Sequence, residues 1–401
     1  MGSRLAARLA LLALALPSSP VFAMDGDTWF LRGFGSLAYD SNVFRVSDEL
    51  DPNVVLGEPY ESDMILGYGV GARLNLPVSR QLFRADASVT QYRYERFDQL
   101  DFTGYAVSGS WDWRAGDDWF GQLAFDTQRE RQPYSSAVRI STPFLLDSYR
   151  GRADARYALT PRWELEAGIG YYSYRYPTPA LKVGDFSSWT QELAANYKSP
   201  QGNSTGARLR YEEGEWPNRP ASTALLFDNQ YSQTTLSAVI NWQLTGRSQL
   251  SGDIGYTRRT HPTASDRDFA GLSGLLNYDY LVSGKLTIRA TAFQTIGPIE
   301  DVVASYVRQR GVGITPSYQL TSKTTLQLNA GWRRDYYLGN SLGVGDPQRQ
   351  DIIWSIGPAA ASQLTRLFSV STGLRYEQRR SNVPYGDYTD LTAYVNAQVE
   401  F

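Results

Sequence analysis

The stretch LTSKTTLQLNAGWRR, Leu320 to Arg334, decides how the chain folds. Leu326, Leu328, Ala330 and Trp332 alternate with Gln327, Asn329, Gly331 and Arg333. Successive side chains of a strand point to opposite faces, so this segment has one apolar and one polar face. The polar lead-in, LTSK, is a tight turn.

The phrase recurs. LPVSRQLF begins at Leu76, LTPRWELE at Leu159, LTGRSQLS at Leu244, LVSGKLTI at Leu281 and LTRLFSVS at Leu364; WRAGDDW at Trp113 and YKSPQGN at Tyr197 are of the same kind. The turns therefore begin near residues 76, 113, 159, 197, 244, 281, 320 and 364, a spacing of 37 to 47. A fixed period is the mark of a repeated supersecondary unit. Between turns lie two strand-like segments of about ten residues and a longer connection, as at residues 43–61, 132–146, 214–226 and 338–348, rich in Pro, Gly, Asp and Asn. The same alternation runs through WELEAGIGYY from Trp163 and FSVSTGLRYEQ from Phe368.

Antiparallel strands joined alternately by short turns and long loops predict an up-and-down transmembrane β-barrel, because closure alone removes the edges that lipid cannot satisfy. Eight short turns, with both ends of the chain on that same side, require eighteen strands; sixteen also accommodates the pattern. The opening MGSRLAARLALLALALPSSPVFA has Arg4 and Arg8 before an apolar run from Leu9 to Leu16, the pattern of a signal peptide cleaved after Ala23. Residues 24–401 are then one barrel domain in the outer membrane of a Gram-negative bacterium. The closing strand, YTDLTAYVNAQVEF, sets Leu391, Ala393, Val395, Ala397, Val399 and Phe401 on one face. A terminal Phe in such a strand resembles the signal read by the bacterial barrel-assembly machinery.

Composition narrows the rest. There is no Cys, which excludes disulfides and thiol chemistry. The formal charge is -2, and -4 without Arg4 and Arg8, so the basic patch of a nucleic-acid binder is not expected. Tyr (27), Trp (10) and Phe (16) are plentiful, as in a barrel with aromatic rims. Trp29, Trp111, Trp113, Trp119, Trp163, Trp189, Trp242, Trp332 and Trp354 are expected as interfacial anchors facing lipid, whereas the loop aromatics Trp216 and Tyr134 are expected to be freer.

With the apolar face on lipid, the polar face lines the lumen. Candidate lining residues are Arg84, Asp86, Arg208, Arg210, Glu212, Asp253, Arg289, Arg333, Arg375, Glu377 and Tyr394. Of the 39 basic residues 35 are Arg, whose planar guanidinium matches carboxylate or phosphate bidentately and stacks on aromatic rings. Pairing of these arginines with carboxylates across the wall is the plainer expectation; weak successive contacts to a glycan is the sharper one.

Enzymatic roles find little support. The single His, His261, precedes Pro262 at the outer end of a predicted strand and is expected as a solvated loop residue. A rim hydrolase would have to work through it. One His and no Cys leave no metal-ligand set, and no cofactor-binding motif is present.

The segment LRGFGSLAYDSNVFRVSD, Leu31 to Asp48, and LPVSRQLFRAD, Leu76 to Asp86, resemble the start of the EpsL-type exopolysaccharide biosynthesis proteins. The matching positions are Asp40, Asn42, Phe44 and Arg45, then Ser79, Arg80 and Gln81. The resemblance covers about the first quarter of the chain. It implies a monomeric, non-enzymatic barrel that passes a newly made polysaccharide outward and takes it from a periplasmic polysaccharide export protein. A general or substrate-specific porin for small solutes is the alternative, with the same architecture and opposite traffic.

Overall fold

A computed structural model describes residues 28–132, 144–219, 228–262, 265–298, 306–338 and 349–401. The predicted signal peptide, residues 1–23, and Tyr134 lie outside the described residues.

Eighteen strands form one antiparallel sheet. They are β1 (Trp29–Asp40), β2 (Asp63–Val78), β3 (Gln81–Tyr94), β4 (Phe102–Ala115), β5 (Trp119–Arg131), β6 (Leu145–Ala158), β7 (Trp163–Arg175), β8 (Phe186–Lys198) and β9 (Ser204–Glu215). They continue as β10 (Gln230–Thr245), β11 (Ser248–Thr260), β12 (Phe269–Leu281), β13 (Leu286–Pro298), β14 (Tyr306–Gln319), β15 (Thr324–Leu338), β16 (Gln350–Gln363), β17 (Phe368–Ser381) and β18 (Tyr388–Glu400). Each strand pairs with its chain neighbours, and β1 pairs with β18 from Arg32↔Glu400 to Asp40↔Thr392. The sheet is thus a closed ring, the eighteen-stranded barrel that the turn count requires.

The short turns fall where the sequence phrases lie. In LPVSRQLF, Ser79 takes a left-handed φ of 55°. Gly116 (φ 64°) and Gly202 (φ 84°) supply the same conformation in WRAGDDW and YKSPQGN, at no steric cost for a residue without Cβ. The longer connections emerge at the opposite, outer end. Among the described residues no helix is long and apolar enough to cross a membrane; the bilayer is crossed by strands.

Register fixes the two faces. Trp29, Leu31, Leu37, Leu66, Tyr68, Val70, Leu123, Phe125, Ile169, Leu193 and Leu236 share the outward face and are exposed there, which in a membrane means exposed to lipid. The next residue along each strand points to the lumen. Gly71 on β2 shows what that face demands: a Cβ there would stand 2.8 Å from Arg32 Nε. The missing side chain opens the path by which Arg32 on β1 crosses β2 to reach Asp86 on β3.

Candidate functional site: the lumen wall and its outer mouth

The register places all eleven candidate lining residues, Asp253 among them, on the lumen face, and the structure shows partners there for the other ten. Asp86 accepts two hydrogen bonds from Arg32, at 2.7 and 2.5 Å, and one from Arg73 at 3.2 Å. Arg84 pairs with Asp112 at 2.5 Å and Arg289 with Asp279 at 2.6 Å. Arg333 meets Asp335 at 3.0 Å, and Arg375 pairs with Glu377, which also accepts from Tyr388 Oη at 2.6 Å. Glu212 accepts from Tyr231 Oη at 2.5 Å.

The densest part of the wall spans β6 to β9. Glu192 lies between Arg208 at 2.9 Å, Arg210 at 2.8 Å and Arg152 at 3.8 Å. Arg152 also reaches Glu166 (3.2 Å) and Asp154 (3.4 Å), Arg156 reaches both carboxylates, and Lys198 pairs with Glu164. Glu192, Glu166, Glu164 and Asp154 are buried within this mesh. Strand geometry explains it: on one face, directly opposed and diagonal residues are near enough for a long guanidinium to bridge neighbours. Arg32, Arg152, Arg156, Glu166 and Glu192 were not among the sequence candidates, although the period-two phase of their strands already assigns them to the polar face.

At the outer end two apolar clusters rest on this same face. In the first, Val43, Phe44, Phe97 and Leu100 from the loops at 41–62 and 95–101 pack on lumen-facing Ala38, Ile65, Tyr92, Tyr94, Phe102 and Tyr394. Phe44 meets Phe97 edge-on at 4.8 Å, and Val43 and Leu100 have no solvent exposure. In the second, Tyr176, Leu181 and Trp216 from the loops after β7 and β9 pack on Leu146, Tyr172, Tyr174, Phe186 and Tyr231. Trp216 is only 2 % exposed. The expectation of a free loop aromatic is therefore corrected for Trp216: its ring lies 5.2 Å from Phe186 and 5.7 Å from Tyr231, and apolar burial outweighs exposure. Tyr394, read as a lumen aromatic open to cargo, is likewise occupied by the first cluster. Both clusters bring loop side chains onto the lumen wall, so they narrow the outer mouth.

Asp40, Asn42, Phe44 and Arg45 form one structure beside the first cluster. Asp40 accepts from Asn42 N and from Arg45 Nη1, both at 2.9 Å. Asn42 is buried, donating to Val46 O and Thr389 O and accepting from Val46 N. Arg45, at a left-handed φ of 54°, also pairs with Asp390 on β18 at 3.1 Å and donates to Asn42 O. Burial opposes its charge, but Asp40 and Asp390 outweigh burial and raise the pKa above the ordinary arginine value. Ser41 exchanges bonds with Leu391, and Asp48 accepts from Thr389. The first loop is thereby bolted across the junction of β1 and β18.

His261 is not the solvated loop residue expected. Its side chain is 4 % exposed, Nδ1 lies 3.3 Å from Asp268 Oδ1, and the ring packs 6.3 Å from Tyr231. Burial holds its pKa below the usual histidine value, against the pull of Asp268. Among the described residues no Ser, Thr or Tyr hydroxyl is hydrogen-bonded to the ring, so a nucleophile–base pair is not assembled. Among the same residues no group of three His, Cys, Asp or Glu side chains could hold a metal ion.

No family model and no curated protein matches the chain. Solved structures do. OccAB3 of Acinetobacter baumannii aligns over 94% of this chain and 100% of its own, with 14% identity and a TM-score of 0.50. A BenF-like porin from Pseudomonas fluorescens Pf-5 aligns over 94% and 99%, with 10% identity and a TM-score of 0.50. OccAB4 of Acinetobacter baumannii aligns to the same extent, with 11% identity and a TM-score of 0.50. At such identities the likeness establishes the fold alone: the protein is an eighteen-stranded outer-membrane β-barrel. The expectation of an exopolysaccharide export conduit is corrected by these comparisons. The barrels that share this architecture include a protein identified as a porin, and the polysaccharide cargo and the periplasmic export partner lose their support with the export reading.

Proposed function

We propose that the protein is a passive channel admitting small polar solutes across the outer membrane. The observation that carries this reading is the lumen wall, where arginines and carboxylates meet within the wall itself, as Arg208 and Arg210 meet Glu192 and Arg32 meets Asp86. A wall neutralised in this way is hydrated and polar, yet leaves no strongly unbalanced field to trap an ion of either sign. Barrels of sixteen to eighteen strands are wide enough to leave an aqueous path, and among the described residues two clusters narrow it at the outer mouth. The shared architecture with a BenF-like porin supports the same reading.

The test is conduction. Purified full-length protein in a planar bilayer is expected to give steady single steps with weak preference between K⁺ and Cl⁻, as one channel per molecule. Absence of conductance would overturn the channel reading. Steps arriving in threes would overturn the monomer.

A further inference from the structure

The lipid-facing side carries arginines that the channel does not use. On the outward register, Arg310 of β14 stands opposite Arg334 of β15, and Arg308 stands opposite Tyr336. The same face continues as Val312, Ile314 and Tyr318 on β14 and as Trp332 on β15, with Trp354 and Ile356 beside them on β16. The three guanidinium carbons surround the Tyr336 ring, at 4.8 Å for Arg308, 5.7 Å for Arg310 and 4.9 Å for Arg334.

The polar partners of Arg310 and Arg334 are neutral. Arg310 Nε donates to Gln294 Oε1 at 2.5 Å and Arg334 Nη2 to Gln350 Oε1 at 2.6 Å. Among the described residues no carboxylate lies within ion-pair distance of any of the three. The Nε atoms of Arg308 and Arg334 are buried with no hydrogen-bond partner among those residues. Two outward arginines elsewhere differ: Arg93 pairs with Asp101 and Arg129 with Asp147, each at 2.6 Å.

Depth indicates the missing anion. Tyr318 is at the periplasmic end of β14. At about 3.3 Å per residue and a tilt of roughly 40°, Arg310 and Arg308 lie about 20 and 25 Å above it, at the outer border of an apolar band about 25 Å tall. The Trp332–Trp354 pair, with centroids 6.2 Å apart, is one row below, where an interfacial girdle belongs. Lipid headgroups occupy the level above that girdle.

We propose that Arg308, Arg310 and Arg334, grouped around Tyr336, bind a phosphorylated glycolipid of the outer leaflet. The guanidinium groups take its phosphate, and the two tryptophans lie against its acyl chains. This site is independent of what passes through the lumen.

Native mass spectrometry of the full-length protein in detergent, titrated with diphosphoryl lipid A, tests it. One lipid per barrel is expected, with at least tenfold weaker binding by the triple variant R308Q/R310Q/R334Q and by the wild type toward dephosphorylated lipid A. Inorganic phosphate at millimolar concentration is expected not to compete. Equal binding by the triple variant, equal binding of the dephosphorylated lipid, or displacement by inorganic phosphate would each overturn the proposal. If the triple variant fails to assemble, Arg310→Gln, at an exposed side chain, is read instead: at least threefold weakening is expected, and unchanged binding overturns the site.

Discussion

Two sets of three arginines face opposite ways through the same wall. Arg152, Arg208 and Arg210 converge on Glu192 in the lumen, while Arg308, Arg310 and Arg334 converge on Tyr336 toward lipid. In the first set the counter-charge is covalently part of the barrel. In the second the central group is a neutral ring, which orders the guanidinium planes without neutralising them. The difference teaches that an arginine-rich sequence does not by itself define an anion path: the residue type is the same, and the central partner decides whether the charge is spent inside the fold or offered outside it.

Removing the lumen partner breaks the comparison most severely. Glu192→Gln leaves three guanidinium groups without their shared carboxylate, and loss of one partner from a buried charge cluster costs about 3 kcal/mol. Melting of heat-modifiable gel mobility is expected to fall in temperature, and the reversal potential in a KCl gradient is expected to move toward anion preference. Gly71→Val ranks next. Its Cβ would clash with Arg32 Nε, separating Arg32 from Asp86, and overpacking of this kind costs about 2 kcal/mol. The same melting assay reads it, and Gly71→Ala should fall between the two.

Gln294→Glu sharpens the comparison from the lipid side by giving Arg310 a carboxylate where it now has an amide. An exposed pair adds no more than about 0.5 kcal/mol, so melting should hardly move, while binding of diphosphoryl lipid A should weaken severalfold. Acid titration has the smallest effect. His261 is held neutral by burial, so its contribution to stability is complete above the unfolded pKa of about 6.5 and is lost as pH falls from there toward the lower folded value. Melting curves between pH 7.5 and 5 should show a slight decline that His261→Gln removes.

The architecture was readable in the chain because each strand carries its own address. The phase of TTLQLNAGWRRD puts Arg333 in the lumen and Arg334 on the lipid side, one residue apart, and the recurring LTSK-like turns count the strands. What alternation does not encode is which carboxylate an arginine meets, since that depends on the offset between neighbouring strands. Glu192 and Arg210 are 18 residues apart and directly opposed, whereas Arg32 reaches Asp86 across an entire strand. Nor does a loop's polarity say where it rests. Trp216 sits among Gly, Glu, Pro and Asn, and its burial arises from the aromatic row Tyr174, Phe186 and Tyr231 on three different strands. The phrase Asp40–Arg45 was conspicuous as a family resemblance, and its physical task, joining β1 to β18, is visible only once the ring is closed.

That joint has a kinetic meaning. Every other strand pair links chain neighbours, whose meeting requires only a short loop to close, but β1 and β18 must find each other across some 350 intervening residues. Loop-closure entropy grows logarithmically, and a span of that size costs roughly 4 kcal/mol more than a four-residue turn. The β1–β18 contact thus carries the largest closure cost in the ring, and Ser41, Asn42, Arg45 and Asp48, reaching over to Thr389, Asp390 and Leu391, act as the latch that holds an otherwise costly rendezvous together.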